Sequence, residues 1–198
     1  KRAARDVNSM DEVVRSAWFT PRLGVEEVSV EQMLRGPTSI GPPQLPIVVT
    51  KAKSQGNPGF VVADARGEKY IVKFDPPEFP GIETTTAFVV NRLFWAFGYN
   101  VPEDFTVHFR REDFAVEPDG KYTAEDVDRV LGLVAPPVDG TYRATASLLI
   151  AGTFLGPTMD EGVRDDDPND TIPHEDRRAM RAMHAFGAFL NHSDIRVD

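Results

Sequence analysis

Three short β-branched segments follow one another and constrain the fold more than any other part of the chain. They are PIVVTKAKS (46–54), GFVVADARG (59–67) and KYIVKFD (69–75). Runs of this composition, bounded by Gly, Pro, Asn and Asp, are typical of strands joined by tight turns. QGNPG (55–59) would connect the first two strands and ARGEK (65–69) the last two. The sequence therefore predicts a three-stranded antiparallel meander.

A helix is predicted directly after the meander. PPEFPG (76–81) interrupts the strand pattern, and ETTTAFVVNRLFWAFGY (83–99) follows it. Gly98 is typical of a helix end. Apolar residues recur at helical spacing and would form one buried face, namely Ala87, Val90, Leu93, Phe94 and Phe97.

Further elements are predicted on both sides of this region. Strands are expected over 101–110 and within 140–157, and helices over 29–36, 123–134 and 173–190. Pro173 is suited to the start of the last helix. The apolar residues expected on its buried side are Met180, Met183, Phe186, Phe189 and Leu190. The succession of strands and helices indicates an α+β fold.

Composition excludes several classes of protein. The 198 residues are 41% hydrophobic and carry 31 acidic against 22 basic side chains, for a net charge of −9. This balance argues against sequence-independent nucleic-acid binding, which depends on neutralising phosphates. The chain has no cysteine, so disulfides and thiolate metal sites are excluded. No apolar run approaches the about 18 residues needed to span a bilayer as a helix.

A glycine-containing turn is the first candidate for a phosphate-binding element. In KSQGNPGF (53–60), Lys53 and Ser54 stand beside Gly56 and Gly59. Backbone N–H groups of such a turn can approach phosphate oxygens closely. The same residue types are equally typical of an ordinary hairpin turn, and both interpretations stay open.

Lys73 is the second candidate. It lies in the third strand between Val72 and Phe74 and therefore faces the opposite side of the sheet. Lysine is depleted in strands, so this side chain lies either on a solvated face or in a binding site. A glycine turn followed by a lysine on the third strand is the order found in protein kinases.

Glu83 is the carboxylate near the following helix that could pair with Lys73, as a kinase requires. Its position in the first turn also suits a residue that merely begins the helix. Both interpretations of Glu83 stay open.

In the last residues, FGAFLNHSDIRVD (186–198), the predicted helix is followed directly by a cluster of polar residues. Asp194 would accept the proton of an acceptor hydroxyl, and His192 or Asn191 would hold the loop. The metal ligands are expected beyond Asp198. The alternative is a polar helix end with Asn191 as its stop signal. Because the chain begins at Lys1 without Met and ends abruptly, we expect a processed or truncated product.

An acidic loop, VRDDDPND (163–170), precedes the last predicted helix. Its oxygen ligands alternate as in part of a calcium loop, but the central Gly and the terminal Glu are missing, which favours a solvated loop. Arg177, Arg178 and Arg181 are expected to form ion pairs with Glu175 and the acidic loop rather than to bind an anion.

The combination of these segments resembles a family of bacterial proteins, mostly uncharacterised, related to the atypical protein-kinase-like fold of HipA-type and phosphatidylinositol-kinase-like enzymes. The resemblance extends from about residue 11 to 194. The segments that carry it are DEVVRSAWFTPRLG, KSQGNPGFVVADARGEKYIVKFDPP, FWAFGYNVPED, DGTYRATAS, RDDDPNDTIPHEDRRAMRAM and FLNHSD.

The resemblance implies a kinase-like fold, with an antiparallel β-sheet amino-terminal lobe and one long helix, followed by the start of a helical second lobe. Residues 1–46 would be an extension that wraps the lobe, 47–156 the lobe itself, and 157–198 the beginning of the second lobe with its catalytic loop.

The resemblance also implies roles for individual residues. Lys73 would be the ATP-phosphate lysine, residues 53–59 would cover the phosphates, and residues 150–154 would form the hinge that contacts adenine. Asp194 would be the catalytic Asp. Glu83 departs from the family pattern because it stands early in its helix.

The expected function is ATP-dependent phosphoryl transfer with magnesium to an acceptor that the sequence does not specify. A chain that ends at Asp198 is expected to be inactive, because the metal ligands would be missing. One alternative is a pseudokinase, which binds nucleotide or protein without catalysis. Another is an exported structural or interaction protein that docks through Trp18, Phe19 and residues 36–46. A cytoplasmic and an exported location both stay open.

Overall fold

The computed structural model describes residues 2–17, 19–153, 156 and 159–192. The fold is α+β, with a curled six-stranded mixed sheet and four α-helices among these residues. The described residues cluster into two compact units. The strand unit comprises 30–93 and 101–151, and the terminal unit comprises the described residues of 1–29, 94–100 and 152–192. The two units divide the predicted extension of residues 1–46 at residue 30.

The sheet contains the predicted meander. Its strands are β1 (Ile47–Lys53), β2 (Gly59–Ala63), β3 (Lys69–Phe74), β4 (Asp104–Phe109), β5 (Phe114–Ala115) and β6 (Tyr142–Leu148), in the spatial order β4-β6-β3-β2-β1-β5. All neighbours are antiparallel except β1 and β5, which are parallel. The sheet is therefore mixed. The short strand β5 was not predicted.

The described helices lie close to their predicted ranges. They are α1 (Val30–Arg35), α2 (Ile82–Phe97), α3 (Ala124–Leu131) and α4 (Arg178–Phe189). The last begins later than predicted, because His174–Asp176 forms a 3-10 turn and Arg177 is extended. Thr123 begins α3 with a reciprocal cap between its side chain and Asp126.

The pleat of the sheet gives it two chemically different faces. One face forms the hydrophobic core with α3, through residues that include Phe60, Val62, Tyr70, Val72, Ala146, Val127 and Val130. The alternate residues of the central strands point to the opposite face, which we call the second face. α2 contacts that face, since Asn91 donates to Asp104 at 3.1 Å and Arg143 donates to Thr85 at 3.1 Å.

The buried side of α2 differs from the apolar face predicted for it. Its buried residues include Thr84, Asn91 and Arg92 as well as Phe94 and Ala96. The Arg92 guanidinium donates to the carbonyl oxygens of Leu34 and Asp104, at 2.8 Å each. The part of the second face that α2 covers is polar, so the helix also buries polar residues.

Two buried carboxylates fix the proline-rich segment 36–46. Glu103 accepts hydrogen bonds from the Ser39 hydroxyl at 2.5 Å and from the N–H groups of Ser39, Ile40 and Gly41 at 2.7 to 3.2 Å. Asp64 accepts from the Gln44 N–H at 3.1 Å. The segment is therefore an ordered part of the strand unit.

These hydrogen bonds predict acid-sensitive stability. Burial alone would raise the pKa of Asp64 and of Glu103, but their hydrogen bonds, led by Arg66 on Asp64 and by Ser39 on Glu103, lower both pKa values below their ordinary range. A lowered carboxyl pKa adds stability above the unfolded pKa of about 4, and that stability is lost as the pH falls through the folded pKa.

We therefore expect the free energy of unfolding, measured by urea denaturation, to decline as the pH is lowered from about 4.5 to 3. Asp64→Asn and Glu103→Gln variants should be less stable at pH 7 and should lose less stability on acidification. A decline of equal size in the variants would contradict the assignment.

The terminal unit joins its amino-terminal segment to α4. Asp6 accepts from the Arg178 N–H at 2.6 Å, at the first turn of α4. Phe97 and Phe186 stack with their ring centroids 3.9 Å apart. Phe189 was predicted to be buried but is 76% exposed, whereas Ala179 and Gly187 are buried.

In the described part of the chain, no helix combines the length and apolarity that crossing a membrane demands.

Candidate functional site

Lysines are concentrated on one surface of the strand unit. The sequence has only six lysines, and four of them lie on β1 and β3, at Lys51, Lys53, Lys69 and Lys73. Lys51, Lys53 and Lys73 line one cleft of about 240 Å³. The nine residues that line it in the described chain include no carboxylate. The cleft is therefore locally cationic in a protein whose net charge is −9.

A β-bulge brings the lysines of β1 onto the second face. Ile47 and Val49 point into the core, so simple alternation would send Lys51 and Lys53 there too. The register shifts between Val49 and Lys51 instead. The extra residue reverses the alternation, and both lysines then point away from the core.

Gly59 separates Lys53 from Lys73. It is the register partner of both residues, and neighbouring strands lie about 4.8 Å apart. A Cβ atom at Gly59 would stand 2.2 Å from the Val72 carbonyl oxygen, so no other residue fits there without movement of the backbone. The backbone of β3 occupies this position, so glycine is needed here for the close pairing of β2 with β3.

Lys73 and Glu83 meet on the second face. Lys73 Nζ lies 3.8 Å from Glu83 Oε1, and the two side chains are 47% and 31% exposed. A pair this exposed adds little to stability, typically less than about 1 kcal/mol. The structure thus brings together the lysine and the carboxylate that the sequence suggested as partners.

The predicted phosphate turn separates two clefts. Gly56 has a φ of +66°, and Lys53 Nζ lies 3.6 Å from the position of a Cβ atom there. Ser54 and Gly56 line a second cleft of about 520 Å³ together with residues 74–78 and 132–134. Asn57 lines both clefts. A ligand in the lysine cleft would therefore contact the turn.

Asp104 is a buried carboxyl group on the same face. Its register partner is Ser147, which in turn pairs with Ile71, two residues from Lys73. Burial raises the pKa of Asp104, an effect that Ser147, Arg92 and Lys73 partly offset. Asp104 therefore keeps its proton to a higher pH than an ordinary Asp.

The predicted catalytic residues belong to the end of the chain. Asp194 lies outside the described residues. Asn191 has a φ of +54° and ends α4, with the His192 N–H donating to the Gly187 carbonyl at 2.8 Å. This is the hydrogen bonding of a helix stop. The His192 ring is exposed, with its centroid 6.0 Å from that of Phe94, and its catalytic role stays a prediction.

The predicted hinge, residues 150–154, is described in part. The Leu149 N–H donates to the Lys69 carbonyl at 2.8 Å, which holds the segment before the hinge against β3. Ile150 is 71% exposed, and Phe154 lies outside the described residues.

Asp170 of the acidic loop accepts hydrogen bonds from residues on both sides of it in the sequence. Asp170 accepts from the Arg164 N–H at 2.9 Å, from His174 Nε2 at 2.7 Å and from Arg177 at 2.7 Å. Led by the Arg164 N–H, these bonds lower the pKa of Asp170 to about 2 against the opposing effect of burial. The predicted pairing of Arg177 with the loop is confirmed.

Magnesium is bound in proteins mainly through carboxylate oxygens. Within the ranges that the structure describes, no group of three or more His, Asp or Glu side chains could hold a metal ion. The described residues do not fit a magnesium site of their own. The three lysines around Gly59 instead present ammonium groups, which are ligands for anions.

Sequence reasoning missed two residues of this region. Lys51 and Lys53 alternate in the sequence KAK, which places them on one face of β1. The sequence does not show the bulge that turns this face away from the core. Asp75 accepts from the N–H and the hydroxyl of Thr84, and a contact across nine residues leaves no local pattern.

Comparison with protein-family models, with curated proteins and with solved structures found no match.

Proposed function

We propose that the strand unit binds the phosphates of ATP and that the protein is a kinase-like phosphotransferase. The observation that carries the proposal is the approach of Glu83 to Lys73 beside a glycine turn. In protein kinases the lysine of the third strand contacts the phosphates and pairs with a glutamate of the next helix. Turn, lysine strand and helix follow one another here in that order.

Charge supports a polyphosphate as the ligand. A triphosphate presents several negative oxygens in a row, and lysine ammonium groups bind phosphate as point charges. Lys53 and Lys73 stand on either side of Gly59, and Lys51 follows on the same face of β1. The overall negative charge of the protein makes this cleft a local exception, which favours a specific anion site over a generally basic surface.

An apolar floor lies next to the lysines. Val61 and Ile71 are register partners on the second face and line the same cleft. They stand two residues from Gly59 and Lys73, a distance of about 7 Å along the strands. A nucleotide with its phosphates at Lys73 would place its base on these side chains.

Transfer requires more than the strand unit. Asp194 remains the proposed proton acceptor, and the magnesium ligands are proposed to lie outside the described residues. A nucleotide-binding module without catalysis would show the same lysine cleft and would bind ATP without turnover.

A docking function gains less support. Phe19 packs edge-on against Tyr99 with the centroids 5.5 Å apart, and the 36–46 segment is hydrogen-bonded in place. Trp18 lies outside the described residues. These contacts leave Phe19 and the proline-rich segment less available to a partner.

The other lysines of the cleft give a graded test. We expect Lys51→Ala and Lys53→Ala each to weaken ATP binding by about 1.5- to 5-fold, as for the loss of one partly exposed charge. Each change should also reduce the dependence of affinity on salt. Titration calorimetry at low and high salt measures both effects.

Lys69→Ala is the matched control. Lys69 lies on the same face of β3, about 13 Å along the strand from Lys73, and does not line the cleft. Its replacement should leave ATP affinity unchanged. If all three variants bound ATP equally well, the ligand would not lie in this cleft.

A further inference from the structure

A buried hydrogen-bonded link joins the strand that carries Lys73 to the helix that carries Glu83. Asp75 follows the end of β3, and Thr84 lies in the first turn of α2. We propose that Asp75 is a positioning residue that acts through Thr84 to hold Glu83 against Lys73. The inference rests on the proposed function, since it assigns the device that prepares the phosphate-binding lysine.

The link is short and excludes solvent. Asp75 Oδ1 accepts from the Thr84 N–H at 2.9 Å, and Asp75 Oδ2 accepts from the Thr84 hydroxyl at 2.9 Å. Asp75 is 3% exposed and Thr84 is fully buried. Water cannot readily replace either hydrogen bond, so the link holds one geometry more firmly than an exposed contact would.

Asp75 is itself anchored on the opposite side. Its carbonyl oxygen accepts from the Ala135 N–H at 2.8 Å, in the segment that follows α3. The residue is thus tied through its backbone to that segment and through its side chain to α2. Its carboxylate is a fixed point against which the helix can be placed.

The two residues of the link lie close in sequence to the two residues of the ion pair. Thr84 is the neighbour of Glu83, and Asp75 stands two residues after Lys73. The exposed Lys73–Glu83 pair at 3.8 Å is too weak to place a helix by itself. The buried link sets the distance, and the pair then restrains the lysine side chain before a ligand arrives.

A restrained lysine binds phosphate at a lower entropic cost than a free one. Loss of the link should let Glu83 move away and leave Lys73 to sample more rotamers. The affinity for ATP should then fall about two- to tenfold, the range expected for ordering one long side chain.

The first test observes Lys73 without nucleotide. The protein is labelled with ¹³C-lysine, and its few lysine ε-methylene signals are assigned with single lysine substitutions. Thr84→Val keeps the shape of the residue but removes the hydroxyl. It should move the Lys73 signal toward its position in Glu83→Gln, whereas Thr84→Ser should leave the signal at the wild-type position.

The signals of Lys51, Lys53 and Lys69 serve as internal controls and should not move. Asp75→Asn, which keeps the volume and removes the charge, is the second variant and should act in the same direction as Thr84→Val. Thermal unfolding confirms that each variant is folded. A Lys73 signal that stays at the wild-type position in folded Thr84→Val and Asp75→Asn would overturn the inference.

The second test is a double-mutant cycle on ATP affinity. Thr84→Val should weaken binding about two- to tenfold in the wild-type background and have no further effect in Glu83→Gln. An equal loss in both backgrounds would show that Thr84 acts on the fold alone and would contradict positioning through Glu83. If the wild type bound no ATP, the proposed function would fail, while the lysine spectra would still decide whether the link positions Lys73.

Discussion

Replacing Glu103 with alanine is expected to lower the free energy of unfolding by about 1.5–3 kcal/mol, the contribution of hydrogen bonds to a charged group. The carboxylate accepts from three consecutive N–H groups and a hydroxyl of residues 39–41. Without it, these groups would stay unpaired or the segment would leave the sheet for water. Urea denaturation at pH 7 measures the change.

Glu112→Ala is the control for the loss of a carboxylate. Glu112 is 70% exposed and lies 3.9 Å from Arg110. Its replacement should change stability by less than about 0.5 kcal/mol. If Glu103→Ala cost no more than this control, the proline-rich segment would contribute nothing to the stability of the strand unit.

The meander and its helix could be predicted because local patterns determine them. β-branched runs bounded by glycine turns allow little besides paired strands, and the break at PPEFPG leaves the following apolar periodicity to a helix. β5 could not be predicted, because Phe114 and Ala115 form a strand only through parallel pairing with distant β1. Non-local pairing of two residues leaves no period in the sequence.

The lysine cleft shows how one inserted residue defeats a pattern. Alternation from Ile47 and Val49 would place Lys51 in the core, and only the bulge after Val49 turns it to the second face. No Gly or Pro marks the bulge in IVVTKAK. The face on which Lys73 lies, by contrast, follows from simple alternation with Val72 and Phe74.

Burial of polar groups on α2 was the other failure of the sequence reasoning. The apolar face predicted for α2 included Ala87 and Val90. The sheet surface beneath the helix instead carries Asp104, to which Asn91 and Arg92 donate hydrogen bonds. A helix that packs on a polar face does not follow the amphipathic rule. For the same reason the apolar pattern did not predict the burial of Thr84, which is hydrogen-bonded to Asp75.

Lys73→Ala is expected to weaken ATP binding about 10- to 100-fold, since a hydrogen bond to a charged group contributes about 1.5–3 kcal/mol. The effect should exceed that of Lys51 or Lys53, because Lys73 is the lysine that Glu83 restrains. The fold should be retained, as the side chain is 47% exposed and lies outside the core.

The most direct measurement is calorimetric titration of the purified wild-type protein, Lys73→Ala and Lys69→Ala with ATP and magnesium. We expect one saturable site in the wild type and in Lys69→Ala, with binding lost or at least tenfold weaker in folded Lys73→Ala. Absence of binding to the wild type, or equal affinity in all three proteins, would contradict the assignment of ATP phosphates to Lys73.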